Sequence, residues 1–545
     1  MKQILQNLSN GETSVVDVPC PNNTKSNVLI ATKNTVVSAG TERMLVDFGK
    51  ANYIDKARQQ PDKVKMVLNK VVTDGLMTTI DAVRSKLDQP LPLGYCNAGV
   101  VLESDADSLK AGDRVVSNGN HAEVVRVPKN LCVKIPDTVD DESAAFTVLG
   151  AIGLQGIRLA QPTIGECFVV TGLGLIGLMC VQILRANGCR VLGVDFDSKK
   201  CELAQQFGAE TVDLSKGEDP VVIAQGFSRG RGVDGVLITA ATQSDEVMHE
   251  AAEMCRKRGR IVLVGVVGLN LRRDDFFKKE LTFQVSASYG PGRYDSFYEE
   301  EGNDYPVGFV RWTEQRNFEA VLDMMASGAL DIQPLITHRY DIDSAIDAYN
   351  LLGDPSVLGI VLNYPNKSNN ELRASKIELA SQPSTVSKLS IPCVGFIGAG
   401  NYASRTLIPA FKDAGSILDT VVTSGGISGV HHGNKNKFLT ASTNIDDVLN
   451  NKQINTIAIV TRHDVHASQV IDALNAGKHV FVEKPLALTL DELELIDKAY
   501  QKVNKSNMVK LMVGFNRRYA PHIIKMKELL NARRSPKSII MTVNA

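Results

Sequence analysis

Two glycine turns, each closing a short apolar run and opening a helix-like stretch, constrain this chain more than any other feature. Gly172-Leu-Gly174-Leu-Ile-Gly177 follows FVVTG (168–172), and Gly398-Ala-Gly400-Asn401-Tyr402-Ala403 follows CVGFIG (393–398). In such a turn the first glycine permits the tight bend and the second lets the backbone approach a pyrophosphate. The third, or a small residue such as Ala403, lets helix and strand pack closely, while the helix N-terminus offers amide donors. Short apolar runs continue after each turn: RVLGVD (190–195), GVLIT (235–239) and RIVLVG (260–265), then LDTVVTS (418–424), INTIAIVT (454–461), HVFVEK (479–484) and VKLMVGF (509–515). Helix-like stretches lie between them, Lys199–Phe207 and Glu246–Arg256 being the clearest. Strands alternating with helices predict two doubly wound parallel sheets of the Rossmann type. Their motifs differ, which argues against a recent duplication.

Each turn predicts a dinucleotide site. Asp195 ends the second strand of the first unit, 23 residues after Gly172, where a carboxylate accepts from an adenosine ribose and repels a 2′-phosphate. Gly172, Gly174, Gly177 and Asp195 are therefore expected to bind NAD. At the second turn Gly398, Gly400, Asn401 and Tyr402 are the expected contacts. No acid ends the following strand, which reads Val421-Val-Thr-Ser424, so NAD or NADP remains open there.

A chain of 545 residues needs more than one core. Its 60 basic and 61 acidic residues give a formal net charge of -1, with no electrostatic footprint for nucleic acid or an anionic membrane. Nine cysteines stand singly, without a CxxC pair, as in a protein of the reducing cytoplasm. MKQILQNLSNGETS has no apolar run of signal-peptide length, and the apolar stretch 167–184 is accounted for by strand, glycine turn and helix rather than by a membrane span. Residues 1–145, rich in Val, Thr, Gly and Pro, predict an irregular, mostly β domain. Residues 146–289 form the first nucleotide fold, the Ser/Asn/Lys-rich 365–390 an exposed linker, and 391–545 the second nucleotide fold.

Gly112-Asp-Arg-Val115, the stretch His121–Pro128, Pro136-Asp137 before Ala144-Ala145, and the first glycine turn, in that order, resemble the medium-chain dehydrogenase/reductase superfamily of alcohol and sorbitol dehydrogenases. The resemblance covers residues 1–364. It implies a GroES-like catalytic domain at 1–145, completed by about 290–364, with PLITHRYDIDSAIDAY (334–349) as the return. The zinc ligands of that family are missing. Ala39 stands where a cysteine is expected, Gly94-Tyr95-Cys96 replaces Gly-His-Glu, and only Ser117–Asn120 occupies the place of the four-cysteine loop. No zinc is therefore expected. Polarising a carbonyl or taking an alcohol proton falls to Tyr95 and Thr41, with Glu42 a weaker candidate. The stretch 286–316 interleaves Tyr289, Tyr294, Tyr298, Tyr305 and Trp312 with Arg293, Arg311 and Arg316. It resembles a two-domain oxidoreductase subfamily associated with polysaccharide processing, and it could stack on and pair with a polar sugar or serve as an ordered surface loop.

The second turn, Thr461-Arg-His463-Asp-Val-His466-Ala467, AGKHVFVEKP with Glu483-Lys484-Pro485, and VGFNRRYAP (513–521) resemble the glucose–fructose oxidoreductase and myo-inositol dehydrogenase family. That resemblance implies Lys484 as a buried ammonium beside the reacting hydroxyl, His463 near the nicotinamide and Glu483 at the cofactor. It also implies a large substrate-binding sheet, of which KSIIMTVNA (537–545) reads as the first strand. The second half is thus expected to be truncated, able to bind dinucleotide with little turnover alone.

The expectation is an NAD(P)-dependent oxidoreductase, cytoplasmic and homo-oligomeric (dimer or tetramer), moving hydride to or from a hydroxyl or carbonyl of a sugar, nucleotide sugar or glycan-derived small molecule. Its alternatives are a zinc-free enoyl or quinone reductase, which Asp195 opposes, and a dinucleotide-binding sensor or scaffold without turnover.

Overall fold

The apolar runs around the first glycine turn are strands of one six-stranded parallel sheet. Cys167–Thr171 and Val233–Ile238 lie side by side at its centre. Arg190–Asp195 and Glu210–Asp213 extend it on one side, and Cys255–Leu263 and Thr282–Val285 on the other. The inner strands are almost wholly buried, as expected where helices cover both faces of a parallel sheet. The reversal of strand order falls next to Cys167–Thr171, so the first glycine turn sits at the crevice where open α/β sheets take ligands.

The computed structural model describes residues 1–380, 391–505, 508–531, 535–538 and 540. The chain divides into two units, Met1–Ala374 and Ser375–Ala545. In the first, a seven-stranded, largely antiparallel sheet is built around the long strand Asn27–Ser38, which pairs with Asn97–Ser104, Val124–Pro128 and Gly359–Asn363. The last of these comes from beyond the nucleotide fold, so the chain returns to complete the domain it began.

The expectation of a mostly β domain over 1–145 needs correction. Thr41–Lys50, Tyr53–Gln59, Pro61–Asp74 and Leu76–Asp88 form four helices. Local chemistry punctuates them: Asn52 accepts from the amides of Ile54 and Asp55, Pro61 occupies a first-turn position, and Gly75 turns the chain at φ 85°.

In the second unit the parallel order is the same as in the first. Cys393–Ile397 and Thr456–Ile459 are central, Ile417–Val422 and Thr440–Ser442 lie to one side, and His479–Val482 and Leu511–Val513 to the other. Lys376–Glu378 adds an antiparallel strand beyond Thr440–Ser442. The segment 365–390, expected as a bare linker, therefore contains a short helix, Asn369–Leu372, and a sheet strand, and its residues 381–390 lie outside the described residues. Most of the strand expected at 537–545 also lies outside them. No helix among the described residues is long and apolar enough to cross a membrane.

Candidate active site

At the first glycine turn the three positions differ in what surrounds them. Gly172 has φ 95°, and a Cβ there would lie 2.6 Å from the Ala240 backbone nitrogen. A Cβ on Gly177 would lie 1.9 Å from the Gly172 carbonyl oxygen, so helix and strand touch through bare backbone. Gly174 faces open space and heads the helix Leu175–Ala186 with no side chain capping it. Uncapped N-terminal amides beside open space form an anion cradle. Asp195 accepts from the Leu173 amide at 2.6 Å and from the Asp197 amide at 2.9 Å, which ties the turn to the end of the neighbouring strand. The next residue, Phe196, is 74% exposed, an apolar ring at the same rim that its position in the sequence did not single out.

The second turn is built alike, with a distortion. Gly398 has φ 103° and lies against the Val460 carbonyl, Gly400 faces open space, and Ala403 is buried. Asn401 and Tyr402 are exposed at the start of the helix, and the Tyr402 hydroxyl accepts from Asn516 Nδ2 at 2.9 Å. The helix opens into a π turn at Ala403–Leu407, directly before Pro409. Proline lacks the amide that an α turn would use, and a wider turn accommodates the loss.

Around that turn the histidines separate in role. His466 is fully buried, with Nδ1 2.7 Å from the Pro485 carbonyl and Nε2 3.2 Å from the Thr461 carbonyl, so it ties together the segments carrying Thr461 and Lys484. His463 is exposed, its ring edge-on to His466 at 5.7 Å. Lys484 is exposed too, which corrects the expected buried ammonium. Glu483 packs on Gly514 and accepts from the Lys484 amide at 3.3 Å through Oε2. Its Oε1 is buried without a hydrogen-bond partner.

In the first unit Tyr95 and Thr41 meet: the Tyr95 hydroxyl donates to Thr41 Oγ1 at 3.2 Å. Burial pushes the phenol well above its ordinary range, with Cys96 and Glu42 adding to the effect. Glu42, one residue further on, does not face the cleft. It is fully buried and accepts from the Ser38 amide at 2.9 Å and from the Tyr349 hydroxyl, with His121 Nε2 at 3.1 Å.

Zinc does not fit this arrangement. Of the positions where ligands are expected, Ala39 offers none, Tyr95 offers a phenol that holds its proton, and Cys96 is a fully buried thiol raised by desolvation. No group of three His, Cys, Asp or Glu side chains able to hold a metal occurs among the described residues.

The segment 286–316 is mostly occupied with itself. Arg293 pairs with Glu299 at 2.6 Å, Arg316 pairs with Asp304, and Tyr298 stacks on Tyr305 at 5.2 Å. The guanidinium groups of Arg158 and Arg311 both lie over the Trp312 ring, 3.3 and 3.8 Å from its centroid. Tyr294, 80% exposed, and Phe309, 90% exposed, are the rings of this segment most open to solvent. Asn118 Nδ2 donates to the Tyr289 hydroxyl at 3.4 Å and Asn120 Nδ2 to the Gly94 carbonyl at 2.8 Å, so the short 117–120 loop links the segment to the backbone before Tyr95.

Residues 176–301 match the zinc-binding dehydrogenase family, and residues 393–515 match the oxidoreductase family with an NAD-binding Rossmann fold. The chain is 24% identical over 302 residues to D-xylulose reductase of Saccharomyces cerevisiae, covering 48% of this chain and 78% of that protein. It is 23% identical over 340 residues to (R,R)-butanediol dehydrogenase of Bacillus subtilis, covering 54% and 90%. Galactitol-1-phosphate dehydrogenase from Escherichia coli superposes with a TM-score of 0.52 at 19% identity, over 67% of this chain and 100% of that one, a likeness of fold.

Proposed function

From a chain that joins a zinc-type dehydrogenase fold to a second oxidoreductase nucleotide fold, we propose an NAD-dependent oxidoreductase that reduces a carbonyl of a sugar or polyol-type substrate, or runs the reverse, without zinc. The observation that carries this reading is the Tyr95–Thr41 hydroxyl pair, with Tyr95 at a position where a metal ligand is expected and Thr41 two residues beyond Ala39. A bound reduced nicotinamide supplies the hydride. Tyr95, kept protonated by burial, donates its proton to the carbonyl oxygen that becomes the alcohol, and exposed Thr41 passes a proton from solvent back to the phenolate. The neutral phenol that burial maintains is the form that donates in the reducing direction, and the reverse direction uses the phenolate as base.

Gly172, Gly174, Gly177 and Asp195 would hold the dinucleotide of this site, and Phe196 would lie against its adenine. In the second unit Gly398, Gly400, Asn401, Tyr402 and Glu483 would hold NAD or NADP, with Lys484 and His463 at its reacting end. The xylulose and butanediol activities of the relatives support a hydroxyl/carbonyl substrate class. Cofactor titration of wild type, Asp195→Arg and Gly398→Arg, coupled to a screen of D-xylulose, 2,3-butanediol and other polyols and ketoses, tests the reading. NAD binding is expected in wild type, with Asp195→Arg shifting the first site towards NADP and Gly398→Arg removing the second. Failure of wild type to bind either cofactor would end the proposal; binding without turnover on any polyol or ketose would leave the sensor reading. The same reading carries a cytoplasmic homo-oligomer, and sedimentation as a monomer would reject the oligomer.

A further inference from the structure

The residues flanking Thr41 and Tyr95 form a closed, buried network that neither hydroxyl belongs to. Glu42 sits one residue beyond Thr41 and is 0% exposed, a burial that carboxylates tolerate only when every lone pair is engaged. Three elements supply its partners. The Ser38 amide donates to Oε1 at 2.9 Å, from the strand end just before Thr41. The Tyr349 hydroxyl, on the helix Ala345–Asn350 that returns from the far end of the unit, donates to Oε2. His121 Nε2 lies 3.1 Å from Oε2 and 3.3 Å from Oε1.

His121 carries the network to Tyr95. Its Nδ1 is 2.6 Å from Thr35 Oγ1, which is in turn 3.1 Å from the Tyr364 hydroxyl. In the neutral ring Nε2–H donates to Glu42 and Nδ1 accepts from Thr35, which fixes both tautomer and plane. The ring lies against Gly94. A Cβ there would sit 2.6 Å from the imidazole, and the His121 amide donates to the Leu93 carbonyl at 2.8 Å. One end of the network is therefore covalently next to Thr41, and the other presses on the backbone that presents Tyr95.

We propose that Glu42, His121 and Tyr349 are positioning residues, a buried clamp that holds the Thr41 and Tyr95 hydroxyls in register in place of the metal this family's ligand set would organise. The proposal rests on the reading of Tyr95 and Thr41 as the reacting hydroxyls. Neither Glu42 nor His121 touches the cleft; both act through the two segments they brace. The titratable groups facing Tyr95 are Cys96 beside it and Glu42 behind it, both of which hold its proton on, with the Ser38 and Thr41 hydroxyls opposing. Loosening the clamp or removing its charge therefore lets the phenol ionise more readily.

The test uses the full chain with 3-fluorotyrosine placed at position 95, in wild type, Glu42→Gln, Glu42→Asp and Tyr349→Phe. Fluorine NMR follows ionisation of that ring with pH, and NAD titration and Trp312 emission report whether the unit stays folded. Tyr349→Phe removes one hydroxyl while keeping the ring, so it remains informative if a Glu42 substitution unfolds the unit. The expected result is ionisation at a lower pH in Glu42→Gln, with partial return towards wild type in Glu42→Asp, which restores the charge. In Tyr349→Phe the expected result is a broadened or shifted Tyr95 resonance. NAD affinity is expected to change by less than about twofold throughout. A roughly tenfold or greater fall in kcat for NADH-linked D-xylulose reduction, with the KM for NADH unchanged, is the matching kinetic result. Superimposable fluorine titrations and spectra in wild type, Glu42→Gln and Tyr349→Phe would overturn the clamp. A wild type inert towards D-xylulose would count against that substrate while leaving the fluorine result to decide the clamp by itself.

Discussion

Replacing Glu314 by glutamine should stabilise the first unit, and more so as the pH rises. Glu314 is 0% exposed, its two carboxyl oxygens lack hydrogen-bond partners, and Glu299 stands beside it. Burial, reinforced by the Glu299 charge and only partly opposed by Arg293, raises its pKa from 4.5 to about 8. An acid whose folded-state pKa is raised binds more protons in the native than in the unfolded state between those two values. Stability therefore falls as pH increases from 4.5 towards 8, at about 1.4 kcal/mol per pH unit. Glutamine keeps the volume and cannot ionise. Relative to wild type, Glu314→Gln should gain about 3 kcal/mol between pH 5 and pH 8, a shift on the order of 1 M in the urea midpoint. The chain has a single tryptophan, Trp312, two residues from the substitution, so its emission follows unfolding where the effect originates. A midpoint difference between variant and wild type that is the same at pH 5 and pH 8 would refute the argument.

The two glycines of the first turn should fail differently. Gly177→Ala drives a Cβ into a backbone oxygen and should destabilise the unit by about 1–3 kcal/mol, whereas Gly174→Ala should leave the urea midpoint unchanged and raise the dissociation constant for NAD at least about tenfold. Lys478, buried and donating to the carbonyls of Asn451 and Ile454 at 2.6 and 2.8 Å, should cost about 2–4 kcal/mol as Lys478→Met, read by circular dichroism, because two acceptors lose their partner. Thr489 and Glu492 form a reciprocal cap on the helix Leu490–Asn504, so Thr489→Ala should lower the stability of the second unit by about 1 kcal/mol in a urea titration.

The parallel sheets were legible because their strands are short apolar runs at regular spacing and their turns must be glycine. The helices at 41–88 were not, since Val and Thr in VKMVLNKVVTDGLMTT suit strands, and the decisive cues are single residues such as Asn52 and Pro61. Spacing also hid the Glu42–His121 contact, because 79 residues separate its partners and no periodicity joins them. The arginines of 286–316 looked available in sequence, yet Arg293 and Arg316 are held by Glu299 and Asp304, pairings that only the folded loop specifies. Lys484 shows the same limit: its motif marks the position, and its exposure depends on what packs around it.

Lys376–Glu378 has a practical consequence for anyone dividing this chain. The outermost strand of the second sheet is donated by residues that precede the glycine turn, and Ser375 accepts from the Thr443 amide and the Ser442 hydroxyl at 2.8 and 3.0 Å. A fragment begun at 391 would strip that border and leave Thr440–Ser442 with raw amides and carbonyls, a template for pairing between molecules. The second nucleotide fold begins, in physical terms, at Ser375.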